Sequence, residues 1–203
     1  MISEYKHFTE YKKIIGIDEA GRGPIAGPVV VAAVILPINS TVPGLNDSKK
    51  LTAKKRTELY KKIISCAIHY EYRVIDHTII DEINILQATF MGMNELLLPH
   101  LTSPFLALID GPCLPKKGHE KDLGLVMKSI IKGDSIYKCI AAASIIAKVV
   151  RDSIMDNYHI KYPQYDFIHN KGYPTKKHKQ ALVQFGICPI HRKTFAPVKE
   201  MVK

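Results

Sequence analysis

Four acidic residues stand where apolar runs of the chain end, and their positions predict a site for phosphate chemistry. Asp18 and Glu19 close the run IIGI, Asp110 closes FLALI, and Asp134 follows Gly133 after a third apolar run. In α/β sheets ligand sites gather at strand ends, so we expect these carboxylates to converge. Burying like charges together is costly unless a cation neutralises them, and Mg²⁺ and Mn²⁺ prefer oxygen ligands. The acids therefore predict a site for divalent metal ions.

Each acid also has an ordinary structural interpretation. A single aspartate at a strand end is more often a turn former or a helix cap than a ligand. The adjacency of Asp18 and Glu19 favours a functional role, whereas Asp134 lies in a Gly-Asp-Ser sequence that is also typical of a turn. Asp152 fits a surface ion pair within a helix, and Asp81 fits the first turn of a helix.

The segment GRGPIAG, residues 21–27, predicts a place where a phosphate backbone approaches the chain. It is not a dinucleotide fingerprint, because its spacing is G-x-G-x-x-x-G, prolines interrupt it, and another strand follows instead of a helix. Glycines let a ligand come close, and the Arg22 guanidinium can donate two hydrogen bonds to a phosphate. A tight turn with a solvent-facing arginine is the alternative that the residues leave open.

Apolar, β-branched runs bounded by Gly or Pro predict the strands that position these residues, and apolar residues at helical spacing predict the helices. We place strands at 13–18, 28–36, 69–76, 105–110 and 125–131, and helices at 52–67, 79–98, 138–162 and 175–185. The short link between the first two strands predicts an antiparallel pair, whereas later strands joined through helices suggest parallel crossovers. The fold class is therefore α/β, with a mixed five-stranded sheet flanked by helices. Strands are absent from about residue 155 onward, so a small helical region is expected there.

Composition narrows the class of protein. The 203 residues are 46% hydrophobic and suffice for one buried core. The longest apolar run, VVVAAVIL, is far shorter than the roughly 20 residues of a transmembrane helix, and the first residues lack an apolar signal core, so we expect a cytoplasmic protein. The cysteines form no C-x-x-C pair. The net charge of +10 favours a polyanionic partner such as nucleic acid, although a solvated lysine-rich face explains it equally well.

Several blocks of the sequence, in order along nearly the whole chain, resemble the bacterial ribonuclease HII family, which is the type 2 ribonuclease H family. They are GIDEAGRGPIAGPVVVAAVIL, NDSKKLTAKKR, LIDG, KGDSIYKCIAAASIIAKVVRD, HNKGYPTKKH and HRKTFAPV. The resemblance implies an RNase H-like catalytic domain over residues 1–154, with a helical C-terminal region over 155–203 packed on it. It also implies an endonuclease that cuts the RNA strand of RNA-DNA hybrids and the 5' side of single ribonucleotides embedded in duplex DNA. The products would carry 5'-phosphate and 3'-hydroxyl ends, as ribonucleotide removal in genome maintenance requires.

The resemblance also assigns roles to residues. The catalytic and metal-binding acids would be Asp18, Glu19, Asp110 and Asp134, holding two Mg²⁺ or Mn²⁺ ions about 4 Å apart. The substrate-binding residues would be Gly21, Arg22 and Gly23 at the ribonucleotide's 2'-OH, Tyr173 against the sugar of the following deoxynucleotide, and Lys49 and Lys50 at phosphates. Further predicted phosphate contacts are Lys54, Lys55, Lys171, Lys176, Lys177, Lys179, Arg192 and Lys193. The expected partners are therefore an RNA-DNA hybrid or ribonucleotide-containing duplex DNA, bound by a monomer with no membrane.

Two other classes are weighed against this interpretation. Ribonuclease HIII shares the fold but by resemblance carries an additional N-terminal substrate-binding domain, and only about a dozen residues precede the first predicted strand here. A non-catalytic hybrid-binding module would bind without metal-dependent cleavage, and the complete set of acids argues against it.

Overall fold

A computed structural model describes residues 3–45, 51–98, 105–115 and 125–202. The strands are β1 (Ile14–Ala20), β2 (Val29–Ile35), β3 (His69–Ile75), β4 (Phe105–Asp110) and β5 (Leu125–Ile130). The helices are α1 (Ala53–Cys66), α2 (His77–Ile83), α3 (Ile85–Leu97), α4 (Gly133–Ile136), α5 (Lys138–Lys161), α6 (Phe167–Asn170), α7 (Lys176–Phe185) and α8 (Val198–Met201), with 3₁₀ helices at Glu4–Lys6 and Pro163–Tyr165. The predicted phosphate contacts Lys49 and Lys50 lie outside the described residues. Within these residues no helix has the length and apolar character needed to cross a bilayer.

The strands form one mixed sheet in the order β3-β2-β1-β4-β5, which confirms the predicted fold class. β1 pairs antiparallel with β2 and parallel with β4, and β4 pairs parallel with β5. The expectation of parallel crossovers is wrong for β3, which is antiparallel to β2 although α1 separates them. The connection returns the chain to the end of β2 where it left, since the Ile68 N–H donates to the Ile35 carbonyl at 2.9 Å.

Both faces of the sheet are covered, which explains why its central strands read as continuous apolar runs. On one face Ile15, Ile17 and Ile109 pack with Met93 and Leu96 of α3. On the opposite face, strand residues from β1, β2 and β4 pack with α1 and α5. Because side chains alternate along a strand, each buried residue fixes which face its neighbours occupy.

Helix α5 approaches β1 at Gly16 more closely than any side chain would allow. A methyl group on Gly16 would lie 2.2 Å from the Cys139 carbonyl carbon, at the start of α5. The glycine therefore lets the backbone of the helix rest on the backbone of the strand. This contact sets the height of α5 above the sheet.

The single helix expected at 79–98 is wrong, because the structure has two helices that meet at Asn84. The Asn84 backbone is left-handed, with φ 68°, and its side-chain oxygen accepts from the N–H groups of Leu86 and Gln87. The Asn84 backbone ends α2, and the Asn84 side chain caps the start of α3. One continuous helix is therefore impossible at this residue. Asp81 is consequently not in a first turn. It lies near the C-terminal end of α2 and accepts from the N–H groups of Lys193 and Thr194.

The C-terminal region packs on the segment between β1 and β2. Helix α5 continues without a break across residues 154 and 155, where the domain boundary was expected. Beyond it, Phe167 and Leu182 join Ile25 and Ala26 of the glycine-rich segment in one apolar cluster. The cluster ties this segment to residues far away in the sequence.

The first prediction concerns Gly16. Gly16→Ala should lower the free energy of unfolding by at least 3 kcal/mol, roughly the upper range for overpacking, because backbone atoms cannot move aside as a flexible side chain can. Urea unfolding monitored by circular dichroism measures the loss.

The matched control is Gly186→Ala. Gly186 has φ 73° and ψ −160°, a conformation that essentially only glycine adopts, and no atom lies within 4 Å of the added methyl group, so backbone strain on the order of 1–3 kcal/mol is the whole expected loss. Equal losses in the two variants would contradict the close approach of α5 to β1.

Candidate active site

Asp18 is the most strongly perturbed carboxyl of the site. It lies near the end of β1 with 5% of its surface exposed, and its Oδ1 accepts from the Glu19 N–H at 2.7 Å. Burial raises the pKa of Asp18 well above its usual value, and the charges of Glu19 and Asp110 raise it further. A hydrogen bond with the Ser144 side chain opposes this rise in the pKa of Asp18.

Strand register explains why Asp18 and Asp110 are neighbours. Gly16 pairs with Leu108 across the parallel β1 and β4 strands, so Asp18 and Asp110 occupy corresponding positions two residues further on. Both side chains then point to the face that carries α5, because Leu108 packs there. Side chains alternate along a strand, so Glu19 starts from the opposite face of β1. It lies near the end of β1 and lines the same cavity as Asp18.

Asp134 joins the site through Gly133. The Gly133 N–H donates to Asp110 Oδ1 at 2.6 Å, which fastens the start of α4 to the end of β4. Asp134 is the next residue of α4 and is 5% exposed. The structure thus places Asp134 next to the hydrogen bond that joins the start of α4 to Asp110.

The chemistry of the donors fits a hard divalent cation, since the side chains offer only oxygen atoms and their mutual repulsion falls when a cation binds. The positions of these side chains, however, do not by themselves form a complete metal site. Within the described parts of the chain, no three side chains of His, Cys, Asp or Glu come together closely enough to hold an ion. The assignment of Asp18, Glu19, Asp110 and Asp134 as metal ligands stays a prediction.

A cavity of about 190 Å³ opens beside the acids. Its lining combines the end of β1, the glycine-rich segment, one face of α5 and the loop before α7. The lining residues are Asp18, Glu19, Ala20, Gly21, Arg22, Gly23, Ser144, Lys148, Arg151 and Tyr173. Two predicted acids and four predicted substrate-binding residues therefore share one cavity.

The glycine-rich segment is fitted closely to its surroundings. Gly21 has φ 104°, and a methyl group there would lie 2.1 Å from Arg151 Nε, so only glycine is accommodated. Arg22 is largely exposed, and its Nη1 lies 3.4 Å from Glu19 Oε1. A methyl group on Gly23 would come 3.4 Å from the Tyr173 ring. The ring of Tyr173, which is 44% exposed, thus stands at the edge of the segment.

The contribution of α5 to the cavity was not predicted from the sequence. Ser144, Lys148 and Arg151 lie four and three residues apart, which places them on one face of a helix. This spacing of polar residues within an otherwise apolar pattern was available in the sequence. Lys148 Nζ also lies 2.6 Å from Asp152 Oδ1, so Asp152 forms the expected ion pair, although both side chains are mostly buried and not on the surface.

One predicted phosphate contact is wrong. Arg192 is fully buried, and its guanidinium donates to the carbonyl groups of Gly21, Arg22 and Gly27. The run of basic residues around it suggested a solvent-facing charge, but the side chain turns inward. Lys193, the next residue, is exposed.

A pair of buried histidines supports the loop that carries Tyr173. His178 Nδ1 lies 2.8 Å from the Tyr173 carbonyl, so it must carry the proton and donate. The Nε2 atom of neutral His178 therefore accepts from Nε2 of His191, at 3.0 Å. Nδ1 of His191 is then left to accept from the Cys188 N–H at 2.8 Å. Both histidines are neutral in this arrangement, because a proton on each Nε2 atom would place two donors face to face.

Comparisons with known proteins identify the family of the chain. A family model described as Ribonuclease HII matches residues 15–198. Ribonuclease HII of Endomicrobium trichonymphae is 52% identical over 189 residues, which cover 93% of this chain and 88% of that protein. The chain belongs to the ribonuclease HII family. As a member of it, the chain is an RNase H endonuclease, a hydrolase that acts on nucleic acid.

Solved structures in the same group have the same fold. The chain resembles ribonuclease H2 from Pyrococcus horikoshii OT3 with a TM-score of 0.71 and 28% identity, covering 93% of this chain and 96% of that one. It resembles the chain in the PCNA:RNase HII complex from Archaeoglobus fulgidus with a TM-score of 0.72 and 27% identity, covering 90% and 95%. The five-stranded sheet is thus an RNase H-like fold, as a ribonuclease HII requires.

The second prediction concerns pH. Burial, together with the neighbouring His178, lowers the pKa of His191 to about 4, whereas an unfolded histidine titrates near 6.5. The unfolded chain therefore binds a proton first as the pH falls. The stability that neutral His191 contributes is complete above pH 6.5 and is lost between about pH 6.5 and 4, by roughly 1 kcal/mol per pH unit.

Urea unfolding at pH 7, 6 and 5 tests this. His191→Gln should lose less stability than the wild-type chain over that range, because the titrating group is gone. His169→Gln, at an exposed histidine of the same region, is the control and should keep the wild-type slope. A wild-type slope in His191→Gln would contradict the neutral pair.

Proposed function

We propose that the chain cuts the RNA strand of RNA-DNA hybrids, and the 5' side of single ribonucleotides embedded in duplex DNA, leaving 5'-phosphate and 3'-hydroxyl ends. One observation carries the proposal: Asp18 and Glu19 line the same cavity as Gly21, Arg22 and Gly23. The carboxylates proposed to hold the metal ions and the backbone proposed to contact the ribose therefore line the same cavity. Membership in the ribonuclease HII family supports the same reaction class.

The proposed cofactor is Mg²⁺ or Mn²⁺, held by Asp18, Glu19, Asp110 and Asp134. Such ions, bound in a pair, supply a nucleophilic hydroxide from water at neutral pH and stabilise the leaving oxygen. The chain's own part is to hold the four carboxylates at strand and helix ends that the core fixes. The raised pKa of Asp18 makes its carboxyl reluctant to ionise beside the other acids, and a bound cation would remove that reluctance.

The proposed reading of the substrate uses the 2'-OH, the one group that distinguishes a ribonucleotide from its deoxy counterpart in a duplex. Backbone N–H groups of Gly21, Arg22 and Gly23 can donate to it without regard to the base. The exposed ring of Tyr173 can pack against the next sugar. Cutting independent of base sequence follows from such contacts.

Basic residues provide the proposed contacts with phosphates. The exposed lysines of α7, which are Lys176, Lys177 and Lys179, are available to solvent, together with Lys54 near the start of α1 and Lys193. Lys171 is only partly exposed and pairs with Asp156. Lys49 and Lys50 keep this role as predictions outside the described residues. We also propose a cytoplasmic location, because the proposed substrate is chromosomal DNA or a hybrid. We propose a monomer, because one chain provides every residue that lines the cavity.

The direct test is a labelled DNA duplex with one embedded ribonucleotide, incubated with Mg²⁺, Mn²⁺ or EDTA. We expect one cut on the 5' side of the ribonucleotide with either metal and none in EDTA, and no cut in an all-DNA duplex. A long RNA-DNA hybrid tested alongside measures the preference between substrates. Tight binding with no metal-dependent cut would contradict the proposal and favour a binding module.

The third prediction concerns Asp18. Asp18→Asn should lower kcat by about a thousandfold or more, since it removes a ligand at the centre of the metal site. Binding of the duplex should be retained or tightened, because a negative charge close to phosphate is lost.

The control is Glu95→Gln on α3, which removes an equal charge from a carboxylate that pairs with Arg73 away from the cavity. It should stay within about threefold of the wild-type rate, in the range expected for a surface ion pair. Normal turnover by Asp18→Asn would remove the role assigned to that residue.

The fourth prediction concerns Tyr173. Tyr173→Ala should lower kcat/KM on an embedded ribonucleotide by about tenfold, the scale of one lost stacking contact, and should affect a long hybrid less. Tyr173→Phe keeps the ring and should behave as the wild-type chain does. Equal losses on both substrates would show that the ring does not sense the junction.

A further inference from the structure

Two arginines, Arg151 and Arg192, lie buried against the glycine-rich segment, and neither has an acidic partner among the described residues. Arg151 is 1% exposed and Arg192 is 0% exposed. The structure shows six hydrogen bonds from their guanidinium groups to described residues, and every one ends on a backbone carbonyl oxygen. No carboxylate of a described residue forms an ion pair with either group.

Burial in this form is costly, so stability alone does not account for it. Burial, together with the charge of Arg151, lowers the pKa of Arg192 to about 9, which shows how unfavourable the ionised form is there. An apolar side chain of similar volume commonly serves stability at least as well as a buried charge does. The Arg192 charge interacts instead with the carbonyl dipoles of the glycine-rich segment.

The hydrogen bonds of Arg192 set the direction of two peptide groups. Arg192 Nη2 donates to the Gly21 carbonyl at 2.7 Å, and Nη1 donates to the Arg22 carbonyl at 3.1 Å. In a trans peptide the C=O of one residue and the N–H of the next point in opposite directions. The N–H groups of Arg22 and Gly23 therefore point away from Arg192.

The opposite side of the segment is the cavity. Arg22 and Gly23 line the cavity and Arg192 does not, so the segment separates the guanidinium from that volume. Neither N–H donates to another residue in the part of the chain that is described. Two backbone donors are thus aimed at the space beside Asp18.

We propose that Arg192 is a positioning residue for recognition of the 2'-OH: by fixing the Gly21 and Arg22 carbonyls, it aims the Arg22 and Gly23 N–H groups at the ribose. The inference rests on the proposed function, which supplies the ribonucleotide. The backbone next to Arg192 is itself held in place. Asp81 accepts hydrogen bonds from the N–H groups of Lys193 and Thr194, the two residues that follow Arg192. Its guanidinium also lies over the Phe195 ring, 5.0 Å from the centroid.

Arg192→Lys is the informative variant, since it keeps the charge but cannot bind three carbonyl groups in a planar fork. Two constants are measured in one cleavage assay with Mg²⁺: the KM for a duplex with one ribonucleotide, and the Ki of the same duplex made wholly of DNA. The ratio of Ki to KM reports preference for the 2'-OH. We expect the ratio to fall about tenfold, the effect of one lost net hydrogen bond, with Ki itself changed less than about twofold.

Leu182→Ala is the control for a merely structural effect. Leu182 is buried in the C-terminal apolar cluster and shares no hydrogen bond with the glycine-rich segment among the described residues. This variant should lose stability yet keep the wild-type ratio. An unchanged ratio of Ki to KM in Arg192→Lys, or an equal fall of that ratio in Leu182→Ala, would overturn the inference. The proposed function would still be upheld if the wild-type chain cleaves the ribonucleotide substrate.

A second measurement needs no variant and tests whether the Arg22 and Gly23 N–H groups meet the 2'-OH, the contact that Arg192 is proposed to position, even where Arg192→Lys does not fold. In ¹⁵N-labelled wild-type chain with EDTA, the amide signals of Arg22 and Gly23 are followed as each duplex is added. The ribonucleotide duplex should shift both amide proton signals further than the all-DNA duplex does. Equal shifts with the two duplexes would overturn the inference.

Discussion

Repulsion between buried carboxylates is the constraint on which the site depends. Asp18 and Asp110 occupy corresponding positions of two parallel strands and point to the same face of the sheet. Two apolar clusters, one on each face, hold these strands in register. Because a slip of one residue would move Asp18 to the other face, the packing of residues such as Ile17 and Leu108 decides where the charge lies. The core thus maintains an arrangement whose charge repulsion raises the pKa of Asp18, and the proposed cation would relieve that repulsion.

The C-terminal region supplies the second half of the site by shaping the backbone. Ala26 forms an isolated bridge with His191, and the Ile25 N–H donates to the Gly172 carbonyl at 2.9 Å. Arg151 links the same segment to Lys171 through their carbonyl groups. The sheet delivers the acids, whereas the C-terminal region fixes the segment and the ring beside them. These parts act together because α5 runs through both.

Much of this arrangement could be predicted because local patterns carry it. All five strands were found within two residues at each end, since apolar runs bounded by Gly or Pro are a local property. The Thr52 cap was also visible in the sequence, and its side chain accepts from the Lys55 N–H. The acids were found by position alone, because strand ends converge in such sheets.

The failures share a cause, which is that long-range contacts decided the outcome. The direction of β3 depends on where α1 returns the chain, and the burial of Arg192 depends on carbonyl groups about 170 residues away. Asn84 broke a helix through its own side chain, which helical periodicity of the apolar residues does not reveal. Asp81 was placed in a first turn for the same reason.

The most direct test of the central claim is thermal unfolding of the wild-type chain and of Asp18→Asn, each with and without millimolar Mn²⁺. Without metal, Asp18→Asn should have the higher Tm, because a repulsive buried charge has been removed. Mn²⁺ should raise the Tm of the wild-type chain and leave that of the variant nearly unchanged. A variant that is less stable than the wild-type chain without metal, or an equal Mn²⁺ shift in both, would contradict the account.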